Sequence, residues 1–215
     1  MRRNIPSPWF AVIGLLVVGA SVVAQTQSKE PPAATSPSPS DTQTPKSAER
    51  EAIASLEVTS TAFKNGESFP VEFTADGAGT SPALAWKGVP AGTKSIAIVM
   101  DDPDARGFVH WTVWNLPATC VALPAAITRE LELKEPAGTK QGATSWGASR
   151  MGYWGSAPPP GSGTHRYTFT VFALDTILDL KAGSTPRALK RAIAGHVLAK
   201  GSLVGVYERP APKKE

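Results

Sequence analysis

A run of six small and apolar residues, Ser95-Ile96-Ala97-Ile98-Val99-Met100, leads through an acidic turn into a second stretch of β-branched and aromatic residues. This pair of segments restricts the architecture more than any other feature of the chain. The first run has strand length and no alternation, as expected of a strand covered on both faces. The second, residues 109–115, has strand composition. Period two predicts Val109, Trp111 and Val113 on one face, with His110, Thr112 and Trp114 on the other. Between the two segments, Asp101, Asp102 and Asp104 collect at a strand end, where a rigid sheet presents binding residues. The same Asp-Pro-Asp would equally serve as a polar turn capped by its own carboxylates.

The remainder of the chain repeats this texture. Residues 56–60, 70–74, 84–86, 95–101, 109–116, 167–173 and 203–207 read as strands, most of them set apart by Gly, Pro and Asp. That pattern predicts a mostly-β fold of the β-sandwich kind. One C-terminal helix is expected. Ser184 or Thr185 caps it, Pro186 suits its first turn, and Leu189, Ile193 and Val197 recur until Gly201. His196 then falls on that helix. A short turn is expected near residues 175–180, and no internal repeat is present.

A second stretch carries chemistry. Gly152-Tyr153-Trp154-Gly155 and Pro158-Pro159-Pro160 form a stiff loop running into Gly163-Thr164-His165-Arg166-Tyr167. His165, Tyr167, Phe169 and Val171 share one face of the strand that follows. The two stretches together resemble the phosphatidylethanolamine-binding protein family, in its bacterial branch of Raf-kinase-inhibitor-like proteins. The first family signature stands as Asp102-Pro103-Asp104-Ala105-Arg106 with His110-Trp111. The second stands as Gly152-Tyr153-Trp154-Gly155, Pro158-Pro159 and Gly163-Thr164-His165-Arg166-Tyr167. Asp76-Gly77, residues 81–86, Gly92-Thr93-Lys94-Ser95, Ala173-Leu174-Asp175 and residues 195–199 agree as well. The likeness spans about residues 56–209.

The resemblance implies a β-sandwich with a small anion-binding pocket, accepting a phosphate-like or phospholipid head group or a carboxylate. It implies that Asp102, His110, His165, Tyr153 and Tyr167 line that pocket, with Pro158 and Pro159 as an apolar wall. Gly155 and Gly163 would let backbone amides approach a ligand. Asp104 is placed beside these residues as a brace, accepting backbone amides or pairing with Arg166. Without the family, each residue has a duller account: histidines satisfied in a core, tyrosines packed with their hydroxyls bonded. Phe108 and Trp114 read as core or rim. Three departures bear on the pocket: Arg106 stands where the family has proline, Ala157 replaces a cysteine common in bacterial members, and Ser145-Trp146 alters the rim.

The functional expectation is a binding module, with inhibition of an unidentified protein target among its roles, no cofactor, no metal and no catalysis. The alternative is a cryptic hydrolase or metal-binding protein using the same His/Asp cluster. No Gly-x-Ser-x-Gly elbow, His-Glu-x-x-His or phosphate loop supports that alternative. Nucleic acid is not expected as a partner either. The net charge of +4 includes Arg2 and Arg3, and without them it is +2, with no basic stripe. Cys120 is the only cysteine, so no internal disulfide forms, and burial of the thiol is expected.

The first 24 residues read as a secretory signal: Arg2-Arg3, then an uncharged run from residue 9 to 24 ending Val22-Val23-Ala24. An uncleaved anchor is the other option, although the run falls short of the ~20 residues a spanning helix needs. Residues 25–51 are a Pro/Ser/Thr-rich linker too poor in apolar residues to offset the entropy of ordering. Residues 52–215 then form one domain, periplasmic or secreted and not inserted in a membrane after cleavage. Intact-mass measurement of the exported protein should give a chain starting at Gln25. A membrane-bound chain still starting at Met1 would overturn this expectation.

Overall fold

The structure, a computed structural model, describes residues 53–211. The signal segment 1–24, the linker 25–51 and its boundary at residue 52 lie outside the described residues. In chain order the strands are β1 (Ala54–Ser55), β2 (Glu57–Thr59), β3 (Leu84–Lys87), β4 (Ser95–Asp102), β5 (Phe108–Pro117) and β6 (Ala122–Leu123). They continue as β7 (Lys140–Gln141), β8 (Ala143–Thr144), β9 (Gly147–Met151) and β10 (His165–Leu174). Helix α1 (Pro186–Ile193) precedes β11 (Val197–Tyr207).

Six strands form one sheet in the order β1-β11-β10-β4-β5-β7, and β2-β3-β6 form a second. The long central strands β11, β10, β4 and β5 run antiparallel to one another, whereas β1 runs parallel to β11. Val58, Leu84, Trp86 and Leu123 of the small sheet pack on Ile98, Met100, Trp111, Phe169 and Val171 of the large one, making one core between them. The expected mostly-β sandwich is thus the fold. On the outer face of the large sheet, Ala97, Trp114 and Leu174 form a second core with Leu189 and Ile193 of α1. Strands β4 and β10 are covered on both faces over this length, which explains why β4 shows no hydrophobic alternation.

Several expectations change. Residues 70–74 form a 3-10 turn, Val71–Phe73, not a strand. Pro70 supplies a fixed φ of −57°, and the Thr74 amide and hydroxyl both donate to the Val71 carbonyl. Only Phe73 of that turn is buried, so the apolar spacing mimics a strand's. The helix ends at Ile193 rather than continuing to Gly201. Ala194 is already extended, Gly195 has φ +85°, and Val197 opens β11. His196 therefore lies beyond the helix, paired with Asp175 at 2.8 Å, and residues 175–180 carry bends but no helical turn. Cys120 is half-buried, its Sγ donating to the Ala122 carbonyl. Strands β6 to β9 are two to five residues long, too short for a periodic signal.

The most consequential change is in β5. Met100 pairs with Trp111 and Asp101 with Val109, so one step along β4 spans two along β5. His110 is the extra residue of a β-bulge, which re-aims its side chain. Simple alternation would set it opposite Trp111. Instead its ring lies 5.3 Å from that of Tyr167, and Tyr167 belongs with Trp111 to the main core.

The parallel approach of β1 depends on Gly201, where a Cβ would run into the Leu56 carbonyl. Gly201→Ala should therefore destabilise the domain by about 2–3 kcal/mol, the cost of overpacking against backbone. Thermal unfolding should then fall by about 5–10 °C for a domain of this size. An unchanged midpoint would show that the β1 edge yields freely.

Candidate functional site

The site begins with a single carboxylate. Asp102 ends β4, and its Oδ1 accepts from the Ala105 amide at 3.0 Å, capping the 3-10 turn Pro103–Ala105. Its Oδ2 accepts from His165 Nδ1 at 2.7 Å, at the first residue of β10. Both side chains are almost fully buried. On the other side of the ring, His165 Nε2 lies 3.0 Å from Ser162 Oγ, and that hydroxyl donates to the Pro159 carbonyl at 2.7 Å. Both ring nitrogens of His165 therefore have an oxygen partner within hydrogen-bond distance.

His110 is held differently. Its Nδ1 donates to the Trp154 carbonyl at 3.1 Å, so in the neutral ring Nε2 is left as an acceptor. Burial is the main influence on it and pushes its pKa down; the Trp154 carbonyl and the Asp102 charge oppose this. Around it stand aromatic rings. Trp146 lies 5.0 Å away and Phe108 5.3 Å, both edge-on, and they pack on one another at 4.6 Å. Tyr167 completes the set. Its hydroxyl is buried and makes no hydrogen bond of full geometry among the described residues; burial, then the charge of the Asp102 carboxylate and its acceptance from the hydroxyl, raise its pKa, while Arg209 and the Ala157 amide oppose them.

The other expected residues take distinct places. Asp104 accepts from the Arg166 backbone amide at 2.8 Å and from both ends of its guanidinium at 3.0 and 2.8 Å. These bonds, led by the side-chain ones, lower its pKa to about 2. Asp104 is the brace of the turn. Tyr153 is buried against Trp111, and its hydroxyl donates to the Phe73 carbonyl at 2.6 Å. Burial raises its pKa well above the usual value. The bareness of Gly155 is required by the backbone of residues 73–75, on which a Cβ would collide, rather than by a ligand. Gly163 has open space around it and is needed for its φ of +85°. Pro158 is buried and Pro159 exposed. The Pro158 carbonyl accepts from Arg209, which pairs with Asp76 at 2.6 Å.

Residues 59–208 match the family described as phosphatidylethanolamine-binding protein. The chain belongs to that family. A UPF0098 protein of Pyrococcus horikoshii is 42% identical over 157 residues, covering 72% of this chain and 77% of the relative. The crystal structure of Escherichia coli YbcL, described as a new member of the mammalian PEBP family, superposes with a TM-score of 0.67. It is 36% identical and covers 72% of this chain and 99% of YbcL. LppC of Mycobacterium tuberculosis, named as a candidate lipoprotein, is 39% identical over 155 residues, 71% of this chain and 72% of LppC. In this member of the PEBP family the departure at Arg106 has a backbone consequence. Arg106 has φ +58°, which proline cannot adopt, so this position of the turn excludes proline.

Sequence reasoning did not single out Ser162 or the Trp154 carbonyl. Neither leaves a periodic signal: one sits in a Gly-rich loop and the other acts through its backbone. Beyond Trp154 the Arg150 guanidinium bridges the two tryptophan faces, 4.8 Å from Trp154 and 4.9 Å from Trp146. Among the described residues, no three His, Cys, Asp or Glu side chains converge as a metal-ligand set.

The two carboxylates should behave unequally. Asp102→Ala removes the partner of a buried histidine ring and should cost about 3–5 kcal/mol. Asp104→Ala breaks a pair whose arginine is 59% exposed and should cost about 1 kcal/mol or less. Urea unfolding of the two variants measures both, and equal losses would contradict the assignment of Asp102 as the buried tie.

Proposed function

We propose that this protein is an exported binding protein that takes a small anion, a phosphate-like or carboxylate head group, beside His110 and Tyr167. It works by binding rather than by catalysis. The observation that carries this reading is the Tyr167 hydroxyl, buried without a hydrogen bond of full geometry among the described residues, beside an imidazole whose Nδ1 donates to the Trp154 carbonyl. Leaving such a donor empty costs free energy that a ligand oxygen recovers. Asp102, His165 and Ser162 are already saturated with each other, so they shape and polarise the site more than they contact the ligand. Tyr153 supports the wall through Trp111. Phe108, Trp146 and Pro158 supply apolar surroundings that strengthen a charge-assisted bond.

Export rests on the basic start and uncharged run of residues 1–24, and on LppC, whose name places it among lipoproteins. Among the described residues no helix is long and apolar enough to cross a membrane. After cleavage at Ala24 the protein is periplasmic or secreted.

The proton balance follows from the direction of the His110 shift. In the free protein its pKa lies below the ordinary 6.5. A bound anion raises it, so binding takes up a proton between the free and bound values. Affinity should climb as pH falls from about 8 and level off below the free pKa of His110. His110→Ala and Tyr167→Phe should each weaken inorganic phosphate or phosphorylethanolamine roughly ten- to a hundredfold, the loss of about 1.5–3 kcal/mol. Imidazole NMR resonances followed during titration with phosphate, phosphorylethanolamine and acetate provide the measurement. If the His110 signals stay fixed for all three, the anion site is wrong. If acetate alone moves them, the pocket is a carboxylate site.

A further inference from the structure

The outer face of the large sheet is only half covered. Helix α1 packs over Ala97, Trp114 and Leu174, and toward the other end of the strands a cleft of about 980 Å³ opens between sheet and helix. Its floor is the alternate set of residues on β4, β5 and β10: Val99, Val109, Thr170 and Phe172. These are half-buried, while their in-facing neighbours Ile98, Met100, Phe169 and Val171 are fully buried. Ile193 closes one wall. The volume lies at the upper end of that of small-ligand sites, and the floor is mainly apolar.

The rim has the opposite character. Arg187 and Lys190 project from α1, and Arg106 reaches in from the β4–β5 turn. All three are exposed, and none joins an ion pair among the described residues, unlike Arg166 and Arg209. The only acid lining the cleft is Asp101. Burial, then the neighbouring Asp102 charge, raise its pKa, and Lys190 opposes them. Three cations against one half-buried acid leave the rim positive.

We infer that this cleft is a second binding site, on the sheet face opposite His110, for a single-chain amphiphile with an anionic head group. The chain lies along Val99, Val109 and Phe172, and the head meets Arg187, Lys190 and Arg106. Apolar contact supplies affinity in proportion to the area covered, while the unpaired cations select the sign of the head. Arg106, at a left-handed backbone position of the β4–β5 turn, adds its cation to the rim and so carries part of the specificity.

Titration of the mature protein with sodium decanoate, below micelle-forming concentrations, tests the inference by amide NMR. Decanoate should shift the amides of Val99, Thr170 and Lys190 and bind at least tenfold more tightly than acetate, decyl maltoside or decyltrimethylammonium. The double variant Arg187→Gln, Lys190→Gln alters only exposed side chains and should weaken decanoate tenfold or more. It should leave phosphate-induced shifts of His110 as they were. Arg106→Gln, on the β4–β5 turn and not on the helix itself, should weaken decanoate severalfold and serves if the double variant fails to fold. Equal binding of the cationic or neutral amphiphile, unchanged affinity in these variants, or shifts confined to His110 and His165 would overturn the second site. Failure of phosphate to bind would leave it standing, since the two sites share no ligand-contacting residue.

Discussion

The buried pairing of Asp102 with His165 is the interaction on which the rest of the site depends. One carboxylate fixes three things: the end of β4, the turn that follows it and the start of β10. These elements are 63 residues apart in sequence, and no main-chain ladder joins Asp102 to His165, since the β4–β10 pairing runs only as far as Asp101 and Thr168. A side-chain tie takes over where the ladder stops. Burial makes this tie expensive to break, because either partner left alone would be a desolvated polar group. The Gly/Pro loop before β10 is anchored through the same ring, by way of Ser162.

Environment divides identical residue types into different roles. Asp104 lies two positions from Asp102 but faces solvent and Arg166, so it stiffens the turn with an exposed bidentate pair. Asp102 faces inward and governs the histidine. The histidines divide likewise. His165 has an oxygen partner at each ring nitrogen, whereas His110 has one carbonyl and a surround of aromatic rings that disfavour its charged form. A saturated ring and an unsaturated one thus stand near the same tyrosine. Only the second has capacity to spare for a ligand.

Much of this was legible in the sequence. The long strands β4, β5 and β10 announced themselves by apolar content, and the Pro186 start of α1 by its cap. The two motifs supplied the candidate site residues, and Asp104, expected to brace the loop by accepting backbone amides or pairing with Arg166, does both. Three kinds of information were absent. Alternation cannot reveal a bulge, because the extra residue at His110 leaves the composition of β5 untouched. Four-residue spacing cannot reveal a helix end when the next strand also begins with an apolar residue, as Val197 does. Contacts made by backbone, such as the Trp154 carbonyl on His110 or the residues 73–75 that demand Gly155, carry no side-chain signature.

The bulge also settles how one short turn can serve both faces of a sheet. Val109 retains its place opposite Asp101 and contributes to the floor beneath α1. His110, one residue on, goes to the inner face with Trp111. In regular alternation His110 and Trp111 would point apart, and the imidazole would stand over the outer cleft instead of beside Tyr167. One inserted residue places the histidine inside. The same turn leaves Arg106 at the cleft on the outside and Asp102 buried within, four residues apart. A deletion that restored regular pairing would therefore disturb the inner site and the outer cleft together, although the two share no side chain.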